Sequence, residues 1–226
     1  KKNDEVISHP ITAIATNLPI LHMGAKVVWS DINPVTGLQS AKLIEKKITN
    51  KTKAIIILDK EGVLPSYDDL NRLKKKYNIP IITDAAHSLG CCYKNKYVGS
   101  LSDFTCFSFQ AIKQITTGDG GFIAIKNKKY LEFIEKAKWF GIKKNSNYNR
   151  NIWKQDIDVI GYKFNMNNLS ASLGLEQLQN WKKIEKKIIF NVKYLSTKLA
   201  CIKDINLPNL NYNSNPVLWT FPITAN

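Results

Sequence analysis

The chain has 226 residues, of which 44% are hydrophobic and 23% are charged, so it can bury a sizeable core. These values exclude a disordered chain, a collagen-like chain and a disulfide-stabilised mini-protein, and the length fits one large domain or one domain with part of a second. The 33 Lys and Arg residues exceed the 18 Asp and Glu residues, and the net charge of +15 favours anionic partners without identifying one.

Apolar runs alternate with amphipathic stretches along most of the chain. In chain order, the pattern predicts a strand at 25–29, a helix at 41–48, a strand at 54–58, a helix at 67–77, strands at 79–83, 104–109 and 121–125, and a helix at 129–140. Strands that alternate with helices pair in parallel through right-handed crossovers. We therefore expect an α/β fold with a mostly parallel sheet flanked by helices.

The last third of the chain has a different pattern. Residues 167 to about 200 form a long helical repeat with an apolar face, and the chain then becomes polar after Leu207. An apolar, strand-like piece follows at residues 217–223. We expect this piece to lack pairing partners within the chain.

The cysteines and the uncharged N-terminal stretch favour a soluble, cytoplasmic protein. The four cysteines (Cys91, Cys92, Cys106 and Cys201) lack metal-ligand spacing, and their number is typical of reduced thiols in a chain this long. Residues 6–25 contain no Lys, Arg, Asp or Glu. Two prolines and several polar residues interrupt the apolar runs of this stretch. We therefore expect neither a membrane span nor a signal peptide.

Two segments place reactive side chains where predicted strands end, the edge at which open parallel sheets bind ligands. The first is Asp84-Ala85-Ala86-His87-Ser88, where a buried strand delivers a carboxylate and then an imidazole. The second starts at Ser108, continues to Lys113 and reaches the turn Thr116-Thr117-Gly118-Asp119-Gly120-Gly121. Taken singly, these residues have plainer explanations: a turn cap for Asp84, a structural role for His87, and one of many lysines for Lys113. Only their combination indicates a catalytic site.

That combination resembles the DegT/DnrJ/EryC1/StrS family of pyridoxal-phosphate sugar aminotransferases. The similarity also includes Asp4-Glu5-Val6-Ile7, residues 12–16, Gly24-Ala25-Lys26 and Gly161-Tyr162-Lys163-Phe164-Asn165-Met166-Asn167, all in the family's order. It covers most of residues 1–185. The resemblance implies the large domain of a type I aminotransferase-like fold over residues 1–165. Residues 166–226 would then be the connecting helix and the beginning of a small C-terminal α/β domain.

The resemblance also implies a role for each matching residue around pyridoxal 5'-phosphate. Lys113 would be the catalytic residue, which attaches the cofactor through its aldehyde and moves a proton during transamination. Asp84 would pair with the pyridine nitrogen, Ala86 would pack on one face of the ring, and His87 would lie near the ring hydroxyl. Such a lysine must be neutral to attack, and burial beside a cationic ring favours its neutral form.

Two further roles concern the cofactor phosphate. Ser108 would donate to it within the chain, and the dimer partner would add a contact from residues 161–167. Many relatives have Asn there, whereas this chain has Lys163. A homodimer with shared active sites is therefore implied, with a nucleotide-linked keto sugar and an amino-acid donor as substrates. No metal ion, nucleic acid or membrane is expected as a partner.

The chain departs from the family at several points. Relatives begin further upstream with a phosphate-binding loop and continue beyond residue 226, so this chain is expected to be part of the enzyme. Ala13 replaces an aromatic or similar residue that often stacks on the cofactor, and residues 59–64 replace a segment that usually carries His with glycines. At these positions the chain lacks side chains with which its relatives contact the cofactor or the substrate.

The sequence is compatible with three functions. The first is a transaminase that converts a nucleotide-linked 3- or 4-keto-deoxy sugar to the amino sugar for glycan biosynthesis, with glutamate as the donor. Lys113 argues against the family's dehydratase branch, which has His in its place. The second is a catalytically degenerate member that acts as a partner subunit. The third is a basic nucleic-acid-binding domain, although the lysines are spread over several helices rather than interleaved with aromatic residues on one face.

Overall fold

The computed structural model describes residues 2–142 and 157–225. Its strands are β1 (Glu5–Ser8), β2 (Lys26–Trp29), β3 (Thr52–Leu58), β4 (Ile81–Asp84), β5 (Cys92–Tyr93), β6 (Lys96–Tyr97), β7 (Phe104–Ser108), β8 (Gly121–Ile125), β9 (Ile205–Asn206), β10 (Asn213–Asn215) and β11 (Thr224–Ala225). Its α-helices are α1 (Ile14–His22), α2 (Ala41–Glu45), α3 (Tyr67–Tyr77), α4 (Leu131–Ala137), α5 (Asn168–Gln179) and α6 (Trp181–Leu199). Short 3-10 turns lie at Lys60–Gly62, Val98–Ser100 and Lys128–Tyr130.

A six-stranded sheet in the order β2-β1-β3-β4-β7-β8 forms the centre of the fold. β1 pairs in parallel with β2 and β3, and β4 pairs in parallel with β3 and β7. β8 is antiparallel to β7, and residues 109–120, which connect the two strands, end in a glycine-rich turn that reverses the chain. The predicted mostly parallel α/β architecture is confirmed.

The core lies where α3 covers the middle of this sheet. Ile55 and Ile57 of β3 are fully buried, as are Tyr67 and Leu70 of α3. The helix begins where the Ser66 hydroxyl accepts the N–H of Asp69 and ends at a left-handed residue, Asn78. Acidic residues in its first turn and lysines in its last turn interact favourably with the helix dipole, so local sequence signals mark both ends of this helix.

Two long helical predictions need correction. The helix predicted from residue 167 to about 200 is two helices, because Asn180 between α5 and α6 leaves helical geometry at φ −90° and ψ 0°. The helix predicted at 129–140 is a 3-10 turn followed by α4, which ends at Ala137. The next residues turn at Phe140 and Gly141, which both have positive φ.

The C-terminal piece at residues 217–223 is not a strand, so that prediction is wrong. Val217 and Leu218 are buried in the core, and the N–H of Trp219 donates to the carbonyl of Glu61 at 3.0 Å. The Cys91 thiol donates to the carbonyl of Val217 at 3.4 Å. These loop contacts take the place of strand pairing, while the neighbouring β10 pairs with β5 and β11 pairs with β9.

The sequence also led us to expect no membrane span and a domain boundary after residue 165. In the part that the structure describes, no helix is long and apolar enough to cross a membrane. The predicted domain boundary after residue 165 stays a prediction. On its C-terminal side, Trp181, Ile188 and Ile189 of α6 pack against the core of the main sheet.

Candidate active site

The predicted site residues of β4 and β7 lie at one edge of the central sheet. Asp84 is the last residue of β4 and is paired with Cys106 in β7, two positions before Ser108. Because both strands run in the same direction, Asp84 and Ser108 leave the sheet on the same side. The turn after Asp84 is closed by the N–H of Ser88, which donates to the carbonyl of Ala85 at 3.1 Å.

The Asp84 carboxylate is hydrogen-bonded at both oxygens. The hydroxyl of Thr16 donates to Oδ2 at 2.6 Å, and the N–H of Ala86 donates to Oδ1 at 3.1 Å. Thr16 lies on α1, and its hydroxyl is 2.6 Å from that of Thr12. The carboxylate therefore has a fixed orientation at the strand end.

His87 is held between a backbone amide and an aromatic ring. Its Nδ1 accepts the N–H of Glu61 at 3.2 Å, and its ring stacks on Trp219 with centroids 4.2 Å apart and planes 15° apart. Burial lowers the pKa of His87, and the positive charge of Lys113 lowers it further. The imidazole is therefore neutral near pH 7, and its proton is on Nε2 because Nδ1 is the acceptor.

Lys113 follows β7 in a tight turn and reaches the same aromatic ring. Its Nζ is 4.0 Å from the centroid of Trp219, and the indole N–H donates to the carbonyl of Ile112 at 2.8 Å. Burial lowers the pKa of the Lys113 amine, opposed by the negative charges of Asp84 and Glu61. An amine with a lowered pKa is more often in the neutral, nucleophilic form.

The glycine turn after Lys113 fixes the end of β7. The N–H of Phe109 donates to the carbonyl of Gly120 at 2.8 Å, and the Ser108 hydroxyl accepts the N–H of Gln110 at 3.2 Å. A Cβ on Gly121 would lie 2.2 Å from the carbonyl oxygen of Phe107, so only glycine fits there. The turn therefore allows the backbone after Lys113 to return closely along β7.

Ala86 and Lys163 differ in how they relate to this cluster. Ala86 is half-buried, and its backbone supports Asp84. Lys163 is exposed and forms an isolated antiparallel bridge with Trp139, after α4. Its described backbone neighbours belong to that segment, where the N–H of Phe164 donates to the carbonyl of Lys138 at 2.9 Å. The predicted contact of Lys163 with a partner's cofactor stays a prediction.

Two residues that the fold brings into the cluster are absent from the sequence-based prediction. Trp219 lies 107 residues after its hydrogen-bond partner Ile112, and its sequence signal is limited to its place in an apolar piece. Glu61 has a left-handed backbone with φ 58°, an uncommon conformation for a residue other than glycine. Its N–H contacts His87, its carbonyl accepts from Trp219, and its carboxylate accepts from the hydroxyl of Thr220.

Asp59, two residues earlier, is a third residue without an assigned role. Its carboxylate is fully buried and accepts the hydroxyls of Tyr67 and Ser88, each at 2.8 Å. Its N–H donates to the carbonyl of Asp84 at 3.1 Å. Burial raises the pKa of Asp59 to about 7, against the two hydrogen bonds that lower it. Asp59 therefore ties β3 to both ends of the turn that carries His87.

A comparison with protein families matches residues 1–226 to the DegT/DnrJ/EryC1/StrS aminotransferase family. The chain is 36% identical over 180 residues to the UDP-4-amino-4,6-dideoxy-N-acetyl-beta-L-altrosamine transaminase of Campylobacter jejuni, covering 79% of this chain and 46% of the relative. It is 37% identical over 178 residues to the GDP-perosamine synthase of Escherichia coli O157:H7, covering 79% and 47%. The chain thus spans about half the length of these curated relatives.

Solved structures agree in fold. The sugar aminotransferase CalS13 from Micromonospora echinospora superposes with a TM-score of 0.90 at 25% identity, over 99% of this chain and 62% of that one. The putative sugar aminotransferase Spr1654 from Streptococcus pneumoniae, described in a PLP form, superposes with a TM-score of 0.85 at 29% identity, over 99% and 61%. The predicted aminotransferase-like fold is confirmed, and the cofactor of this family is pyridoxal 5'-phosphate.

The donor set of the cluster fits that cofactor. A carboxylate held at both oxygens suits a protonated ring nitrogen, and a partly buried amine of lowered pKa suits an aldehyde. The Ser108 hydroxyl at the strand end is a donor suited to a phosphate. In the described residues, no three His, Cys, Asp or Glu side chains are grouped to hold a metal ion.

Proposed function

Because the chain belongs to the DegT/DnrJ/EryC1/StrS aminotransferase family, we propose that it is the cofactor-binding part of a pyridoxal-phosphate-dependent sugar aminotransferase. Its substrate is a nucleotide-linked 3- or 4-keto-deoxy sugar, its amino donor is glutamate, and its product is an amino sugar for glycan biosynthesis. The observation that carries the proposal is the convergence of Asp84, His87 and Lys113 at one sheet edge. The Asp84 carboxylate accepts a hydrogen bond at each oxygen, and the ring of Trp219 contacts both His87 and Lys113.

The substrate class is supported by relatives and by charge. Two similar proteins are named as a transaminase of a UDP-linked amino sugar and as a GDP-perosamine synthase. Both names contain a nucleoside diphosphate, and the net charge of +15 is attractive to a diphosphate.

Each residue of the cluster has a task in this reaction. When bound, pyridoxal phosphate supplies an aldehyde and a ring that withdraws electrons from the carbon bearing the amine. Asp84 would keep a proton on the ring nitrogen through its carboxylate, and the Nε2–H of His87 would donate a hydrogen bond to the ring hydroxyl oxygen. Lys113 would hold the cofactor through its neutral Nζ, and the same atom would accept the proton of the reacting carbon and return it. Ser108 would donate a hydrogen bond from its hydroxyl to the phosphate.

The proposal includes a homodimer in which Lys163 contacts the phosphate bound by the partner subunit. Large apolar side chains near Lys163 are strongly exposed in the single chain, among them Ile160 and Leu169 at 86% and Phe164 at 74%. Such a concentration of exposed apolar surface supports a protein partner at this face.

A spectrum of the full-length protein with pyridoxal phosphate tests the proposal. We expect a yellow absorption band that is lost in Lys113→Ala and kept in Lys75→Ala, an exposed lysine of α3. Glutamate should bleach the band, and a panel of nucleotide keto sugars should restore it. A wild-type protein without the band would contradict the proposal and favour the degenerate partner subunit.

A further inference from the structure

Thr16 makes a short, buried contact with the carboxylate of Asp84. The two residues are 68 positions apart in sequence, and the Thr16 hydroxyl lies 2.6 Å from Oδ2. Thr16 is only 8% exposed. A hydroxyl carries one proton, and an ionised carboxylate can only accept, so Thr16 is the donor. The contact is a hydrogen bond to a charged group, which is stronger than one between neutral groups.

Thr12 extends this contact by one step. Its hydroxyl lies 2.6 Å from that of Thr16. Since the proton of Thr16 is committed to Asp84, Thr12 must donate to Thr16. The direction of the chain is therefore Thr12 to Thr16 to Asp84, and each donated bond strengthens the next.

The start of α1 is anchored so that Thr16 has little freedom. The hydroxyl of Ser8, at the end of β1, donates to the side-chain oxygen of Asn17 at 2.5 Å. The side-chain amide of Asn17 donates to the carbonyl of His9 at 3.4 Å, and His9 is fully buried. Asn17 is next to Thr16, so the hydroxyl of Thr16 is positioned by the sheet and not by a mobile loop.

We propose that Thr16 is a positioning residue that fixes the Asp84 carboxylate in the orientation needed to bind the ring nitrogen of pyridoxal phosphate. The inference rests on the proposed function, in which Asp84 holds that nitrogen. Thr16 occupies Oδ2 and the N–H of Ala86 occupies Oδ1, so the carboxylate cannot rotate without losing one of its two donors. Thr12 acts behind Thr16 and supports its donation.

Three variants of the full-length protein separate the hydroxyl from the space that it fills. Thr16→Val keeps the shape and removes the donor, Thr16→Ser keeps the donor, and Thr12→Val removes only the second donor. Titration with pyridoxal phosphate, followed by absorption, gives the dissociation constant of each. We expect binding about tenfold or more weaker in Thr16→Val, since a hydrogen bond to a charged group is lost. Thr12→Val should weaken binding less, and Thr16→Ser should bind like the wild-type protein.

The absorption maximum of the bound cofactor is a second measurement that does not depend on turnover. It should shift in Thr16→Val and not in Thr16→Ser, because only Thr16→Val removes the hydroxyl that orients Asp84, the partner of the ring nitrogen. Thermal unfolding without cofactor identifies a variant that fails to fold.

Two outcomes would overturn the inference and leave the proposed function intact. In the first, Thr16→Val binds pyridoxal phosphate with wild-type affinity. In the second, Thr16→Ser and Thr16→Val lose affinity for it equally. A wild-type protein that binds no pyridoxal phosphate would overturn the proposed function and the inference with it.

Discussion

The buried carboxyl of Asp59 should make the stability of the protein fall as pH rises from about 4 to about 7. Burial raises the pKa of Asp59 from 3.8 to about 7 in the folded protein, so this state holds a proton that the unfolded chain has lost. Each pKa unit corresponds to about 1.4 kcal/mol, and the whole difference to about 4 kcal/mol. The stability contributed by the protonated group is complete below pH 3.8 and is lost as pH rises to about 7.

Asp59→Asn isolates this effect because an amide oxygen in the place of Oδ2 can still accept from both Tyr67 and Ser88 but does not titrate. Between pH 5 and pH 8, the wild-type free energy of unfolding should fall by about 2.5 kcal/mol relative to that of the variant. Urea unfolding of both proteins at several pH values measures this difference, in which other titrating groups cancel. Asp68→Asn is the control, since ion pairing with Lys94 lowers the pKa of exposed Asp68 and its titration lies below this window. Parallel curves for wild type and Asp59→Asn would refute the reasoning.

Two further predictions concern the cluster around the glycine turn. Titration of the three histidines by NMR should give His87 a pKa below its ordinary value, and Trp219→Leu should raise that pKa because the stacked ring no longer shields the imidazole. An unchanged His87 pKa in the variant would remove the shielding role of Trp219. Gly121→Ala should destabilise the protein by about 2 kcal/mol or more, because its Cβ would meet the carbonyl of Phe107. Gly118→Ala meets no atom within 4 Å and should cost about 1 kcal/mol from its positive φ alone, so equal costs would contradict the steric account.

The elements with local signals could be predicted from the sequence. The limits of α3 follow from the Ser66 cap, the acidic first turn and the left-handed Asn78, and the structure has the predicted bounds Tyr67–Tyr77. The buried strand β3 is a largely continuous apolar run, and the predicted strand starts two residues too late. Such elements depend on residues within one or two turns of one another.

Elements set by distant contacts were missed or misjudged. β1 has four residues, too few for a clear alternation, and it is a strand because β2 and β3 lie on both sides of it. The piece at 217–223 has strand-like composition, but Glu61 and Cys91 bind its backbone instead. In both cases the partner in space, not the local sequence, decides the conformation.

The candidate site likewise contains residues that the sequence could place and residues that it could not. Asp84 and Ser108 end their strands, and His87 and Lys113 come three and five residues later, so the rule for open parallel sheets places all four at one edge from the sequence. Trp219 comes to Lys113 through tertiary packing of the C-terminal segment, which no local pattern predicts. The roles assigned to the site residues, including Ala86 and Lys163, rest on family resemblance and stay predictions.

The most direct test of the account is to trap the cofactor on the chain and find its position. The full-length protein is incubated with pyridoxal phosphate, reduced with borohydride and digested, and the modified peptide is identified by mass spectrometry. The account predicts a phosphopyridoxyl group on Lys113, on the peptide that follows β7, and none on the exposed Lys75. A modification spread over surface lysines, or one concentrated on a lysine other than Lys113, would contradict it.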